Sequence, residues 1–201
     1  MNNTGKLIVY EGIDGSGKTT QLQRSAEWLS SRKYLVRTYR EPTSGPHGQK
    51  LRQSASTGRL SAEEEMNLFL RDREWNVTTR IRPALSERVT VLLDRYYYSS
   101  IAYQGARGLD TEMIRDKNRK IAQEPDLVLL FDLDPEMAID RIRASRGDTP
   151  NLFEKIDYLK KVRAIFLSLT DPNMVRIDAS EPIDTVWQQV EEALASLFPH
   201  P

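Results

Sequence analysis

The sequence contains no cysteine, so neither a disulfide framework nor a thiolate metal site is possible, and a reducing compartment is tolerated. Histidine is nearly absent: His47 and His200 are the only two, which excludes the usual multi-histidine zinc constellations. Charge of one sign is not in excess either, since 29 Lys+Arg balance 29 Asp+Glu. A chain without a basic surplus is poorly suited to sequence-independent nucleic-acid binding, which rests on clustered cations against phosphates. Long apolar runs are missing as well. The strongest, LVLLF at 127–131, is far too short to span a bilayer, and the start, MNNTGK, carries no apolar leader. The expectation is a soluble, cytoplasmic protein with no membrane or nucleic-acid partner.

What is present suits one domain over residues 1–201: 39% hydrophobic and 29% charged residues are ordinary for a globular chain of this length. Apolar runs with strand character recur at 7–10, 34–39, 89–93, 127–131 and 174–177. Helical patterns lie between them at roughly 18–31, 62–82, 111–122, 135–144, 153–169 and 183–197. Strands alternating with helices predict an α/β fold with a five-stranded parallel sheet covered on both faces. The near-continuous apolar runs at 89–93 and 127–131 suit its centre. The polar patches 43–61 and 145–152 read as loop excursions, the places where binding and closure usually sit.

The stretch LIVYEGIDGSGKTTQL at 7–22 carries chemistry. Gly12, Gly17, Lys18 and Thr19 fit G-x-x-x-x-G-K-[ST], with a strand before and a helix after, the context that a P-loop requires. Glycines let backbone N–H groups converge on phosphate oxygens, and the helix start adds its positive dipole end. The nucleotide-binding candidates are therefore Gly12, Ile13, Asp14, Gly15, Ser16, Gly17, Lys18, Thr19 and Thr20. Lys18 is placed to bridge the β- and γ-phosphates of a nucleoside triphosphate, and Thr19 to ligate Mg²⁺. Hydrolases, switches and small-molecule kinases all share such a loop, so the acceptor stays open here.

LLDRYYYSSIAYQGARG at 92–108 puts Asp94 and Arg95 at the carboxyl end of an apolar strand, the end that faces ligand in an open parallel sheet. An acid there can hold the magnesium shell, and an arginine can grip a second phosphate. A capping ion pair between the two is the structural alternative. Phe69 and Arg73, four apart, share one helix face, as a stacking ring and a carbonyl donor for one base would. Met66, Phe69, Leu70 and Val77 equally make an ordinary core stripe. Tyr96, Tyr97 and Tyr98 cannot all point one way on a regular element.

Together EGIDGSGKTT, REP at 40–42, FLRDR at 69–73, DRYYYSSIAYQGARG and PDLVLLFDLDPEMAIDR at 125–141 resemble the thymidylate kinase family, in the family's order. The resemblance runs from about residue 6 to about residue 195. It implies transfer of the γ-phosphate of MgATP to dTMP in dTTP biosynthesis, by a five-stranded P-loop fold assembled as a homodimer. It further implies that Asp14 lies near the acceptor sugar and phosphate, and that Glu41 and Arg52 belong to the acceptor loop, with Arg52 facing the base. Phe69 is similar to the ring that stacks on thymine, Arg73 to the donor to the base carbonyl, and Arg95 to the acceptor-phosphate arginine. Ser100 and Gln104 resemble residues reading the base edge, and Tyr103 the ring crowding the 2′ position.

The segment RIRASRGDTPNLFE at 141–154 resembles the family's lid over ATP. Its arginines also suit an ordinary basic helix end. With Ser16 in the phosphate loop where some members carry arginine, Arg143 and Arg146 become the candidates for transition-state charge stabilisation, and Arg141 is similar to an adenine-flanking arginine. DAS at 178–180 resembles the loop beside the adenine edge. Two departures stand out: Glu41-Pro42-Thr43-Ser44-Gly45 replaces E-P-G-G-T, and Asn151-Leu152-Phe153-Glu154 replaces D-R-x-E. The rival readings are another nucleoside monophosphate kinase, a deoxynucleoside kinase using Glu11 as base, and a nucleotide switch without catalysis.

Overall fold

In the computed structural model residues 5–57, 60–146 and 152–198 are described. Among them five strands, β1 (Leu7–Gly12), β2 (Val36–Arg40), β3 (Thr90–Asp94), β4 (Leu127–Asp132) and β5 (Met174–Asp178), form one parallel sheet in the order β2-β3-β1-β4-β5. Every residue of β1 and β3 is buried, as a strand with neighbours on both edges and helices on both faces demands. β2 and β5 lie at the edges and expose Arg37, Thr38, Val175 and Arg176. The apolar runs thus fall at the centre, as the sequence predicts.

The helices are α1 (Lys18–Ser31), α2 (Pro46–Thr57), α3 (Ala62–Asn76), α4 (Arg82–Ser86), α5 (Tyr97–Gly105), α6 (Thr111–Arg119), α7 (Pro135–Arg146), α8 (Leu152–Ser168) and α9 (Ile183–Leu197). Pleating sends successive side chains of β1 to opposite faces: Tyr10 faces Ser25 of α1, whereas Glu11 meets the start of α5. One helical layer is therefore built on α1 and α9, and the other on α5, which packs against α3, α6 and α8.

Two helices escaped the sequence reading. Residues 46–57, taken as loop, form α2, with Pro46 at its first position, where its missing N–H costs nothing. Residues 97–105 form α5, hidden in sequence because nearly all its faces are buried and no polar stripe marks a period. The pattern at 62–82 is one α-helix to Asn76, a π-helical turn over Val77–Ile81, and α4 beyond it. Ser61 starts that run with a reciprocal capping box: its hydroxyl accepts from the Glu64 N–H, and the Glu64 carboxylate accepts from the Ser61 N–H.

Register decides where the chemistry collects. Tyr10 pairs with Asp94 and Gly12 with Phe131, so the carboxyl ends of β1, β3 and β4 finish at one rim. From central β1 the chain leaves to one side for β2 and β3, then crosses to the other for β4 and β5. That reversal opens a crevice at this rim, the place where open parallel sheets bind ligands.

Candidate active site

The loop between β1 and α1 turns on glycine. Gly12 has φ 138°, and a Cβ there would stand 2.4 Å from the Phe131 carbonyl oxygen on β4, so only glycine fits. Gly17 caps α1 in the left-handed region at φ 87°, with no side-chain cap and no acidic residue in the first turn. The first N–H groups of α1 and its positive dipole end are thereby left for an anion. Lys18 follows, buried, its Nζ donating to the Ile13 carbonyl at 2.7 Å and to Ser16 Oγ at 3.3 Å. Burial and then the Arg95 charge lower its pKa from 10.5 to about 7, so a bound polyanion would restore what the fold withholds.

Asp14, Gly15, Gly17, Lys18, Thr19 and Asp94 line one cavity at the rim, joined by Arg40, Arg95 and Arg141. The hydroxyl of Thr19 donates to Asp94 Oδ2 at 3.0 Å, while the buried Asp94 Oδ1 has no hydrogen-bond partner among the described residues. A hydroxyl beside a carboxylate oxygen with an uncommitted lone pair is the hard donor set that magnesium takes, with phosphate oxygens completing its shell. No cluster of three His, Cys, Asp or Glu that could hold a metal ion occurs among the described residues. The proposed capping pair does not form: Asp94 lies 3.8 Å from Arg40 Nε, and Arg95 turns to Asp14 instead.

Arg95 is held in the left-handed region at φ 69°, a conformation a non-glycine residue adopts only when its surroundings impose it. Its NH1 donates to the Gly12 carbonyl at 3.2 Å and to Ser99 Oγ at 2.9 Å. Its NH2 donates to Asp14 Oδ1 at 2.9 Å. That neighbour holds the Asp14 carboxyl down at about 2. The guanidinium also lies over the Tyr103 ring, 5.1 Å from its centroid.

Beyond Arg95 opens a second cavity of about 170 Å³, whose walls include Phe69, Arg73, Tyr96, Ser100, Tyr103 and Gln104. Phe69 is half-buried and faces this space rather than the core. Arg73 is the largest fully buried side chain. Glu41 accepts its Nε at 2.9 Å and pairs with NH2 at 2.7 Å, while NH1 donates to Ser100 Oγ at 3.2 Å and to Asn118. Burial raises the Glu41 pKa against the opposing pull of Arg73. Gln104 donates to Glu65 at 3.3 Å, and its buried Oε1 has no hydrogen-bond partner among the described residues. Of the three tyrosines, Tyr96 lines the cavity, whereas Tyr97 and Tyr98 stack on each other with ring centroids 4.2 Å apart.

Arg52 does not line this cavity; it is exposed on α2 and donates to the Pro42 carbonyl at 2.9 Å. The unusual EPTSG loop is built in by Asp72, which accepts both the Thr43 N–H at 2.7 Å and its hydroxyl at 2.6 Å. On the opposite flank of the phosphate loop, a groove is bounded by Ser16, Gln21, Arg141 and the segment 179–183, and Arg141 NH1 donates to the Ala179 carbonyl at 2.9 Å. Asp178 accepts from the Ser180 N–H and hydroxyl, which shapes that segment into a tight turn. Arg141 lines both this groove and the phosphate cavity, whereas Arg143 lines neither and sits 3.6 Å from Asp140. The side chain of Arg146, and those of Asn151 to Glu154, lie outside the described residues.

Sequence reasoning missed Arg40, Glu65, Asp72, Ser99 and Asn118. Local spacing does not mark them, because each has a partner across a fold-level distance, as Asn118 has Arg73 and Ser99 has Glu11.

A glycine loop opening a helix, a buried lysine at its mouth, and a separate aromatic cavity joined to it through an arginine define a P-loop phosphotransferase site with an acceptor pocket. The chain belongs to the thymidylate kinase family: the model of that family matches residues 10–190. It is similar to a probable thymidylate kinase of Archaeoglobus fulgidus, 46% identical over 192 residues that make up 96% of both chains. A thymidylate kinase of Xanthomonas euvesicatoria pv. vesicatoria is 48% identical over 192 residues, 96% of this chain and 84% of its own. One from Xanthomonas oryzae pv. oryzae is 47% identical over the same shares.

Proposed function

We propose that this protein transfers the γ-phosphate of MgATP to dTMP, giving dTDP and ADP. The observation that carries the reading is that Asp14 and Arg95 line both the phosphate cavity and the aromatic one, so a phosphate on the acceptor would meet the donor's terminal phosphate beside them. ATP lies with its base in the groove at 179–183 and its phosphates on the N–H groups from Gly15 to Thr20. Lys18 spans the β- and γ-phosphates, and Arg141 reaches them from α7. Thr19 and Asp94 would hold Mg²⁺, which when bound would supply charge neutralisation on the phosphates. Thymine stacks on Phe69, with Arg73, Ser100 and Gln104 along its edge, and Tyr103 crowds the sugar's 2′ position. Arg95 grips the acceptor phosphate.

An acceptor phosphate is already anionic near neutral pH, so attack on the γ-phosphorus needs positioning and charge stabilisation rather than a strong base. The site agrees. Glu11, the base a nucleoside kinase would call on, is wholly buried and already accepts three hydrogen bonds from Tyr96 and Ser99. Assembly as a homodimer and residence in the cytoplasm follow from the same family reading; sedimentation analysis and cell fractionation test them.

The deciding experiment is a coupled assay of ADP release across a panel of nucleoside monophosphates and nucleosides, with chromatographic identification of the product. ADP release that depends on dTMP, with dTDP formed, is the expected result. Equal release with thymidine would mark a nucleoside kinase. Tight ATP binding with no acceptor-dependent release would mark a switch.

A further inference from the structure

Arg95 needs more than its own contacts to be useful. Its backbone is in a costly conformation, and one branch of its guanidinium, NH2, is paired with the exposed Asp14 at 2.9 Å. The other branch, NH1, is anchored by the Gly12 carbonyl at 3.2 Å and, more closely, by Ser99 in the first turn of α5, which accepts at 2.9 Å. The same hydroxyl donates to Glu11 Oε2 at 2.5 Å. The serine proton therefore has one direction: it points to Glu11, and the lone pairs point to Arg95. The second oxygen of Glu11 accepts the N–H groups of Tyr96 at 2.7 Å and Ser99 at 3.1 Å, the first donors of α5. A carboxylate at the start of a helix is stabilised by such N–H groups and by the helix dipole.

We propose that Glu11 is a positioning residue for the acceptor-phosphate arginine: through Ser99 it fixes the guanidinium of Arg95, and through the first N–H groups of α5 it fixes the helix that presents Ser100, Tyr103 and Gln104 to the acceptor. The inference rests on the reading above in which Arg95 holds the acceptor phosphate. It accounts for a carboxylate that is fully buried, lines neither the phosphate cavity nor the aromatic one, and is costly to keep there. Burial draws its pKa up to about 7, against the three hydrogen bonds and the Arg95 charge. The cations that feel it are Arg95, from the turn after β3, and Lys18, at the start of α1. Glu11 is thus, with Asp94, one of two buried acids whose charge both of these cations feel.

The test is a double-mutant cycle on Ser99 and Arg95, because Ser99→Ala cuts the link and leaves the buried carboxylate and its backbone bonds in place. Ser99→Ala should lower kcat/KM for dTMP by about 10- to 100-fold, the scale of one hydrogen bond to a charged group, while the ATP KM changes less than about twofold. In an Arg95→Ala background the same change should cost less than about threefold, since the group it positions is gone. Glu11→Gln, whose amide cannot accept at every contact, should reproduce the Ser99→Ala pattern. Calorimetric titration with dTMP reads the same cycle on affinity alone, so a weakly active variant still reports. Full additivity of Ser99→Ala and Arg95→Ala, wild-type dTMP kinetics in Ser99→Ala, or equal losses for ATP and dTMP would each overturn the proposal. Failure of the substrate reading looks different: the wild-type protein would show no dTMP-dependent ADP release.

Discussion

Arg73→Ala strikes the best-held side chain of the acceptor pocket, and the structure sets the size of the effect. Arg73 and Glu41 are 1% and 2% exposed, and two guanidinium nitrogens meet the carboxylate at 2.9 and 2.7 Å. Removing the cation leaves the Glu41 carboxylate buried with, among the described residues, the Asn76 amide at 3.1 Å as its side-chain partner. Breaking a buried ion pair from one side costs about 3–5 kcal/mol, against a total stability of about 5–15 kcal/mol. At roughly 2–4 °C per kcal/mol for a chain of this size, Tm should fall by about 6–20 °C. The loss is also pH-dependent. Burial already raises the Glu41 pKa, and without Arg73 it rises further. A carboxyl raised in the folded state contributes its stability below the unfolded pKa and loses it as pH rises through the folded value. The deficit against wild type should therefore shrink toward about pH 4 and be full above neutrality. A Glu41→Gln, Arg73→Met double variant removes both charges and should recover part of the Tm without recovering dTMP turnover. Calorimetric melts from pH 4 to 8 with parallel kinetics provide the assay. A loss under about 1 kcal/mol, or one that grows on acidification, would refute the buried-pair reasoning.

Lys18→Met should abolish transfer yet stabilise the unliganded protein. The lysine pKa falls from 10.5 to about 7 on folding, so the charged form is penalised. That penalty is complete below about pH 7 and vanishes toward pH 10.5, and the variant's advantage, roughly 1–3 kcal/mol, should follow it in denaturant titrations at several pH values. Near-normal turnover in folded Lys18→Met would sink the P-loop assignment. If Phe69 stacks on thymine and the cavity accepts its methyl group, dTMP should exceed dUMP in kcat/KM by about 10- to 200-fold, and parity would indicate a broader pyrimidine site. Among the arginines of α7, Arg141→Ala should lower kcat strongly with little change in dTMP affinity, because it alone of Arg141 and Arg143 lines the phosphate cavity. Arg143→Ala should have the smaller effect; the reverse order in single-turnover rates would return the role to Arg143.

Local pattern carried a great deal in this chain. The glycine spacing before Lys18 and Thr19 already specifies a phosphate cradle, because the loop's geometry depends on φ values that neighbouring residues set. The apolar runs of β1, β3 and β4 likewise announce strands with two covered faces. Sequence also placed Phe69 and Arg73 on one helix face, but periodicity alone could not say whether that face met a core or a ligand. Only the packing of α3 against α5 turned Phe69 toward a cavity and sealed Arg73 between Glu41, Ser100 and Asn118. Glu11 shows the limit most clearly. In sequence it is an acid beside a phosphate loop, available as a base; in the fold, the pleat of β1 sends it away from Tyr10's face and under the first turn of α5, where its oxygens are spent. Backbone conformation and strand character are local and can be read from neighbours. The partner of a buried charge is set by which helix lies over which strand, and that is decided only when the whole sheet is assembled.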